Sequence, residues 1–160
     1  MTTTANDIEP MRQAIAAARA ALANGDKPYG ATLVSVDGRI VHTAGNVEVS
    51  RGDSTGHAEM VLVREAQADF GIAALQGGTV YASGEPCAMC CGALFWAGVS
   101  RIVYAAPNRA MAELLGGALL PFTCAELLAH AVPPVQVDGP LLADESMDLL
   151  RAAAAATRRT

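Results

Sequence analysis

Two short runs of strand-like composition, TVYAS (79–83) and RIVYAA (101–106), enclose enough residues for one helix and its turns. Strand, helix and strand at that spacing form a parallel pair with a crossover helix, because a tight turn cannot join parallel neighbours. That unit points the chain to an α/β architecture. Upstream, GATLVSV (30–36) and RIVHTAG (39–45) read as two more strands, joined by a tight turn at Asp37-Gly38. The alanine-rich MRQAIAAARAALANG (11–25) is expected to be helical, with Asp7 as its cap and Pro10 in its first turn. NVEVSRGDSTG (46–56) reads as a loop leading into a helix from near His57 to about Phe70. The crossover helix is expected from about Pro86 to Ala97. Beyond Pro107 the pattern is mostly helical, in MAELLGG, TCAELLAHA and DESMDLLRAAAAA, with PVQVD (134–138) as one more strand. One sheet with helices on both faces accounts for this order. No repeat or long linker divides the chain, so residues 1–160 are expected to form a single domain.

The apolar fraction of 52% against 17% charged residues supports a packed core rather than disorder. No apolar run reaches membrane-crossing length, and MTTTANDIEPMRQ lacks the basic and apolar blocks of a secretory leader. A cytoplasmic location follows as the expectation. In that compartment thiols stay reduced, and closely spaced cysteines favour metal or catalytic chemistry over disulfides. The net charge is −5, and the basic residues are scattered apart from Arg158 and Arg159. Binding a polynucleotide backbone calls for a basic surface, so a small neutral ligand fits this balance better.

Three of the four cysteines fall within GEPCAMCCGALFWAG (84–98). Pro86 suits a first helical turn, where its missing N–H would have no partner. Cys87 and Cys90, three positions apart, then project from one side of that turn and form the two-thiolate half of a zinc site. Cys91 is rotated away by about 100°. It is expected to be a small core residue, as is the isolated Cys124. A third ligand must come from elsewhere, and His57 in GHAEM offers it from the start of its own helix. Two helix N-termini aimed at one point favour thiolate over thiol. Zinc with two thiolates and one imidazole is formally neutral and keeps a fourth position for a water acidified to a pKa of roughly 7. Glu59, two residues after His57, is placed to act as general base without ligating the metal.

HAE at 57–59 and PCAMC at 86–90 match the H-x-E…P-C-x-x-C pattern of zinc nucleobase deaminases. PYGATLVSVDGRIV resembles the opening strand of bacterial guanine deaminases, GNVEVSRGDSTGHAE their Asn-bearing loop, and GALFWAGVSRIVYAA their following helix and strand. Over roughly residues 10 to 108 the chain resembles the cytidine deaminase superfamily, in its branch of guanine, cytosine and tRNA adenosine deaminases. The resemblance implies a three-layer α-β-α sandwich with a central mixed sheet of about five strands. It implies Zn2+ as cofactor, hydrolytic release of ammonia from a small nucleobase or amino-heterocycle, and a homodimer. It also implies that Asn46 and the backbone N–H near Ala58 hold the substrate, that Tyr29 shapes the pocket wall, and that a C-terminal segment of about 108–160 closes the site.

Within the branch the guanine deaminases use that segment to supply an acid and an aromatic residue. Here no aromatic follows Phe122 and the expected aspartate cluster is missing, leaving Glu113 as the substitute acid. Guanine is the first substrate expected. The alternatives are a cytosine or other aminopyrimidine deaminase, a tRNA adenosine deaminase, and a binding protein that has lost catalysis. Intact Glu59 speaks against the last, and the acidic balance against tRNA. Glu85 is expected to support the metal loop, and Ser83 and Gly84 to allow close backbone approach. His42 and His130 are expected to be structural or exposed, and Met60, Met89 and Trp96 to be packing residues rather than pocket residues.

Overall fold

The computed structural model describes residues 3–117 and 120–157, so Arg158 and Arg159 lie outside the described residues. A short 3-10 turn, Ala5–Asp7, precedes helix α1, Ile8–Ala23. The hairpin of β1, Gly30–Val34, and β2, Ile40–Gly45, follows, then a one-turn helix α2, Glu48–Arg51, and α3, Ala58–Phe70. Next come β3, Thr79–Gly84, α4, Ala88–Trp96, and β4, Arg101–Ala106. The remainder holds α5, Asn108–Leu115, α6, Cys124–Leu128, β5, Gln136–Asp138, and α7, Ala143–Thr157. Among the described residues no helix is long and apolar enough to cross a membrane.

The five strands form one mixed sheet in the order β2-β1-β3-β4-β5. β1 is antiparallel to both β2 and β3, while β3, β4 and β5 run parallel. Alternate side chains serve opposite layers, as the two-residue period of a strand requires. Ala31, Leu33, Val80 and Ile102 pack with Leu62 of α3 and Leu94 of α4. Tyr81, Val103 and Ala105 pack with Met11, Ala14 and Ile15 of α1 on the other face. Covered on both sides, β1 is buried at all five positions, and the expected three-layer α/β fold is the one found. Gly30 is required here for a steric reason. A Cβ at that position would stand 2.1 Å from the Ala14 carbonyl oxygen, so only glycine lets α1 lie this close to β1.

Three local expectations are corrected. Asp7 precedes α1, but its side chain does not cap it. The carboxylate instead accepts from the Tyr81 hydroxyl and from Arg101, which also reaches Asp138, at the far end of the sheet from Gly84. The loop after Asn46 contains α2, because Asp26 accepts hydrogen bonds from the backbone N–H groups of Val49 and Ser50. That cap comes from more than twenty residues upstream, beyond the reach of a local pattern. TCAELLAHA yields only the five-residue α6, so His130 lies in an exposed turn rather than a helix.

Candidate metal centre and substrate cavity

Helices α3 and α4 lie side by side on one face of the sheet. Their N-cap residues are His57 and Cys87, both with extended backbone. The two helix starts therefore meet, and Cys90 joins them from the first turn of α4. His57 Nδ1 lies 3.6 Å from Cys87 Sγ and 3.6 Å from Cys90 Sγ, and the sulfurs are 3.6 Å apart. A tetrahedral zinc with Zn–S bonds of about 2.3 Å would hold two sulfurs roughly 3.8 Å apart. Two sulfurs and one imidazole nitrogen at these spacings fit that ion and leave a fourth direction open.

The electrostatics point the same way. Hydrogen bonds from Cys90 and His57 hold the Cys87 thiol down to about 4, against the opposing effect of burial. The contact with Cys87, burial and the Glu59 carboxylate push the Cys90 thiol far up. An anionic sulfur beside a crowded, desolvated one is a donor set that a soft divalent cation satisfies.

Glu59 is the second residue of α3 and is only 7% exposed. Its Oε2 lies 3.4 Å from Cys90 Sγ. Burial, helped by the Cys87 thiolate charge, raises its carboxyl to about 6. A carboxyl tuned toward neutrality suits a group that must both accept and return a proton.

His57, Cys87 and Glu59 open onto a cavity of about 930 Å³, whose wall also includes Tyr29, Asn46 and Glu48. Asn46 is buried, with its amide bonded to Glu48, and burial pushes the Tyr29 hydroxyl up to about 12. Ala58 is buried at the head of α3, where a first-turn N–H has no partner inside its own helix. Gly84 lines the cavity, and a Cβ there would stand 2.9 Å from Met111 Sδ and 3.2 Å from Tyr29. Ser83 carries structural bonds: its hydroxyl accepts from Gly30 N–H and its carbonyl from the Ser146 hydroxyl.

Glu85 supports the metal loop through both oxygens, which accept from the backbone N–H groups of Asn108 and Cys124. It thereby ties the start of α5 and the start of α6 to the residue two before Cys87. From the C-terminal segment, Met111, Leu115, Leu120 and Ala153 reach the cavity wall. Glu113 does not. Residues 108, 111, 112 and 115 share one face of α5 and line the cavity, whereas Glu113 lies on the opposite face, exposed and paired with Arg109 at 3.0 Å.

Cys91 and Cys124 are both buried, as their composition suggests, but neither stands alone: their sulfurs are 3.3 Å apart. His42 pairs with Glu65 at 3.0 Å on β2, away from the metal residues. Lys27 and Glu48 are among the cavity residues that escaped the sequence analysis, and Met89, expected to be packing, lines the cavity as well. Lys27 and Glu48 lie in segments read as turn or loop, and no periodicity distinguishes them.

Residues 4–106 match the family described as the cytidine and deoxycytidylate deaminase zinc-binding region. A probable cytosine deaminase of Schizosaccharomyces pombe is 33% identical over 148 residues, covering 88% of this chain and 88% of that protein. The tRNA-specific adenosine deaminase of Bacillus subtilis is 38% identical over 96 residues, 60% of this chain and 59% of its own. Among solved structures, the guanine deaminase NE0047 in complex with 2,6-diaminopurine superposes with a TM-score of 0.82. It is 29% identical, and the match covers 97% of this chain and 84% of that one. A zinc-fitting triad, a buried carboxyl beside it and a family match across both sequence motifs lead to one assignment: the chain belongs to the zinc-binding cytidine and deoxycytidylate deaminase family.

Proposed function

We propose that the protein hydrolytically removes the exocyclic amine of a free nucleobase or small amino-heterocycle, with guanine as its first substrate. The observation that carries this reading is the placement of Glu59, buried beside the metal residues and open to the cavity. Zinc, when bound by His57, Cys87 and Cys90, supplies an acidified water as nucleophile. Glu59 would take a proton from the attacking water, deliver it to a ring nitrogen and assist departure of the amine. Water and the aminated base thus become the carbonyl base and ammonia. In this reading Asn46 offers its amide from the cavity wall, and the backbone N–H of Ala58, a buried residue outside the lining, takes a substrate carbonyl. Tyr29 and Met111 wall the ring, and the segment from about 108 onward completes the enclosure of a single domain.

Charge supports a small base over a nucleotide or tRNA. The cavity wall carries Asp26, Glu48, Glu59 and Glu85 against Lys27 as its one lysine or arginine among the described residues, and Lys27 is already paired with Glu48. A phosphate entering there meets net negative charge. Guanine is favoured because NE0047, which superposes over nearly the whole chain, binds 2,6-diaminopurine. Cytosine is the second reading, favoured by the near full-length match to the Schizosaccharomyces pombe protein.

Ammonia release from guanine, cytosine, adenine, aminopterins, aminotriazines and their nucleosides tests both. Guanine turning over fastest supports the first reading, cytosine the second, and silence across the panel overturns the assignment. We also read the protein as a cytoplasmic homodimer. The nine residues of α4 carry no charge, yet Trp96 is 84% exposed, so that helix has an apolar flank for a second copy to cover.

A further inference from the structure

Glu48 is a buried-side carboxylate, 12% exposed, that the chemistry above leaves without a task. Its placement is held firmly. Asp26 fixes α2 by accepting from Val49 and Ser50 N–H, and Lys27 Nζ reaches Glu48 Oε1 at 2.8 Å. Its other oxygen, Oε2, accepts from Asn46 Nδ2 at 2.7 Å, while the Glu48 backbone N–H donates to Asn46 Oδ1 at 3.0 Å. Together these bonds permit one amide orientation. Turning the amide over would set N–H against N–H and oxygen against carboxylate. One N–H and one lone pair of Asn46 are left for a ligand. The same Oε2 lies 3.7 Å from His57 Nε2, the ring nitrogen opposite the one that faces the two sulfurs.

We propose that Glu48 is a positioning residue of this site, holding the Asn46 amide in a single orientation toward the base and steadying the His57 ring toward its metal. The inference rests on the deaminase reading for its substrate half and on the metal triad for the other. Carboxylates behind a metal-bound histidine typically change metal affinity ~10-fold to ~100-fold when removed. The two halves separate by substitution. Glutamine at this position keeps an oxygen to accept from Asn46 and loses the charge that faces His57 and Lys27. Alanine loses both.

The test measures zinc affinity of Glu48→Gln and Glu48→Ala by competition with a chromophoric chelator, and initial rates with guanine and cytosine. Both variants are expected to bind zinc ~10-fold more weakly than the parent. Glu48→Ala is expected to raise KM by ~10-fold with kcat changed far less, the loss of one well-placed hydrogen bond. Glu48→Gln, which retains the acceptor, is expected to keep KM within about twofold. Parental zinc affinity and KM in both variants overturn the inference, and so does a KM in Glu48→Gln as high as in Glu48→Ala. Should the parent release no ammonia from any base, the deaminase reading falls, and the chelator competition still decides: weakened zinc in both variants sustains the hold on His57, and unchanged zinc overturns it.

Discussion

Oε2 of Glu59 lies 3.4 Å from the sulfur of Cys90, so the carboxyl borders the metal ligands without being one of the three. Proton transfer by such a group contributes ~10²–10⁴-fold to rate. Glu59→Ala is therefore expected to lose that factor in kcat while retaining zinc at the parental stoichiometry, measured by metal analysis beside the ammonia assay. Loss of zinc in this variant would assign Glu59 to the coordination sphere instead.

Adjacent cysteines should behave in opposite ways. Cys90→Ala removes a ligand and is expected to abolish zinc binding and lower the melting temperature, because ligation contributes to folding free energy. Cys91→Ala, whose sulfur faces Cys124, is expected to keep its zinc and to cost about 1 kcal/mol of stability. Metal analysis and thermal unfolding of the two proteins make the comparison, and zinc loss in Cys91→Ala would refute the ligand set.

The charged cluster at the far end of the sheet sets an acid limit. Burial alone would raise Asp7, but bonds from Arg101 and Tyr81 win and hold its carboxyl well below the ordinary 3.8. The sign follows from linkage: a depressed folded value contributes stability above the unfolded value, and that contribution is lost as pH falls through the folded one. Asp7→Asn is expected to cost about 3 kcal/mol at neutral pH, the scale of a broken buried pair. In urea unfolding, the gap to the parent should narrow below about pH 4.

Glu113 lies on the outer face of α5, 3.0 Å from Arg109. Exposed substitutions of this kind usually change stability by less than about 0.5 kcal/mol. Glu113→Ala is expected to leave KM and kcat within twofold of the parent (about 0.4 kcal/mol). A large rise in KM would restore it as the acid that closes the pocket.

Trp96 tests the assembly. Sedimentation of the parent is expected to give a dimer mass, and Trp96→Glu a monomer, since a charge on that flank of α4 opposes its burial. A parent that sediments as a monomer removes the dimer reading.

The metal triad and the α/β frame were legible in the sequence because the thiolate pair and the strands show in local spacing and the HAE motif marks His57. Cys87 and Cys90 fall on one side of a helix start whatever surrounds them, His57 heads the neighbouring helix, and TVYAS and RIVYAA impose a crossover. Only the tertiary structure decided which side chains line the cavity. Glu113 sits in a helix whose rotation is set by packing, and that rotation turned it outward. Glu48 owes its place to a cap from Asp26 and an ion pair with Lys27, both more than twenty residues away. Contacts of that kind are formed when separate segments close on one another, and spacing along the chain does not encode them.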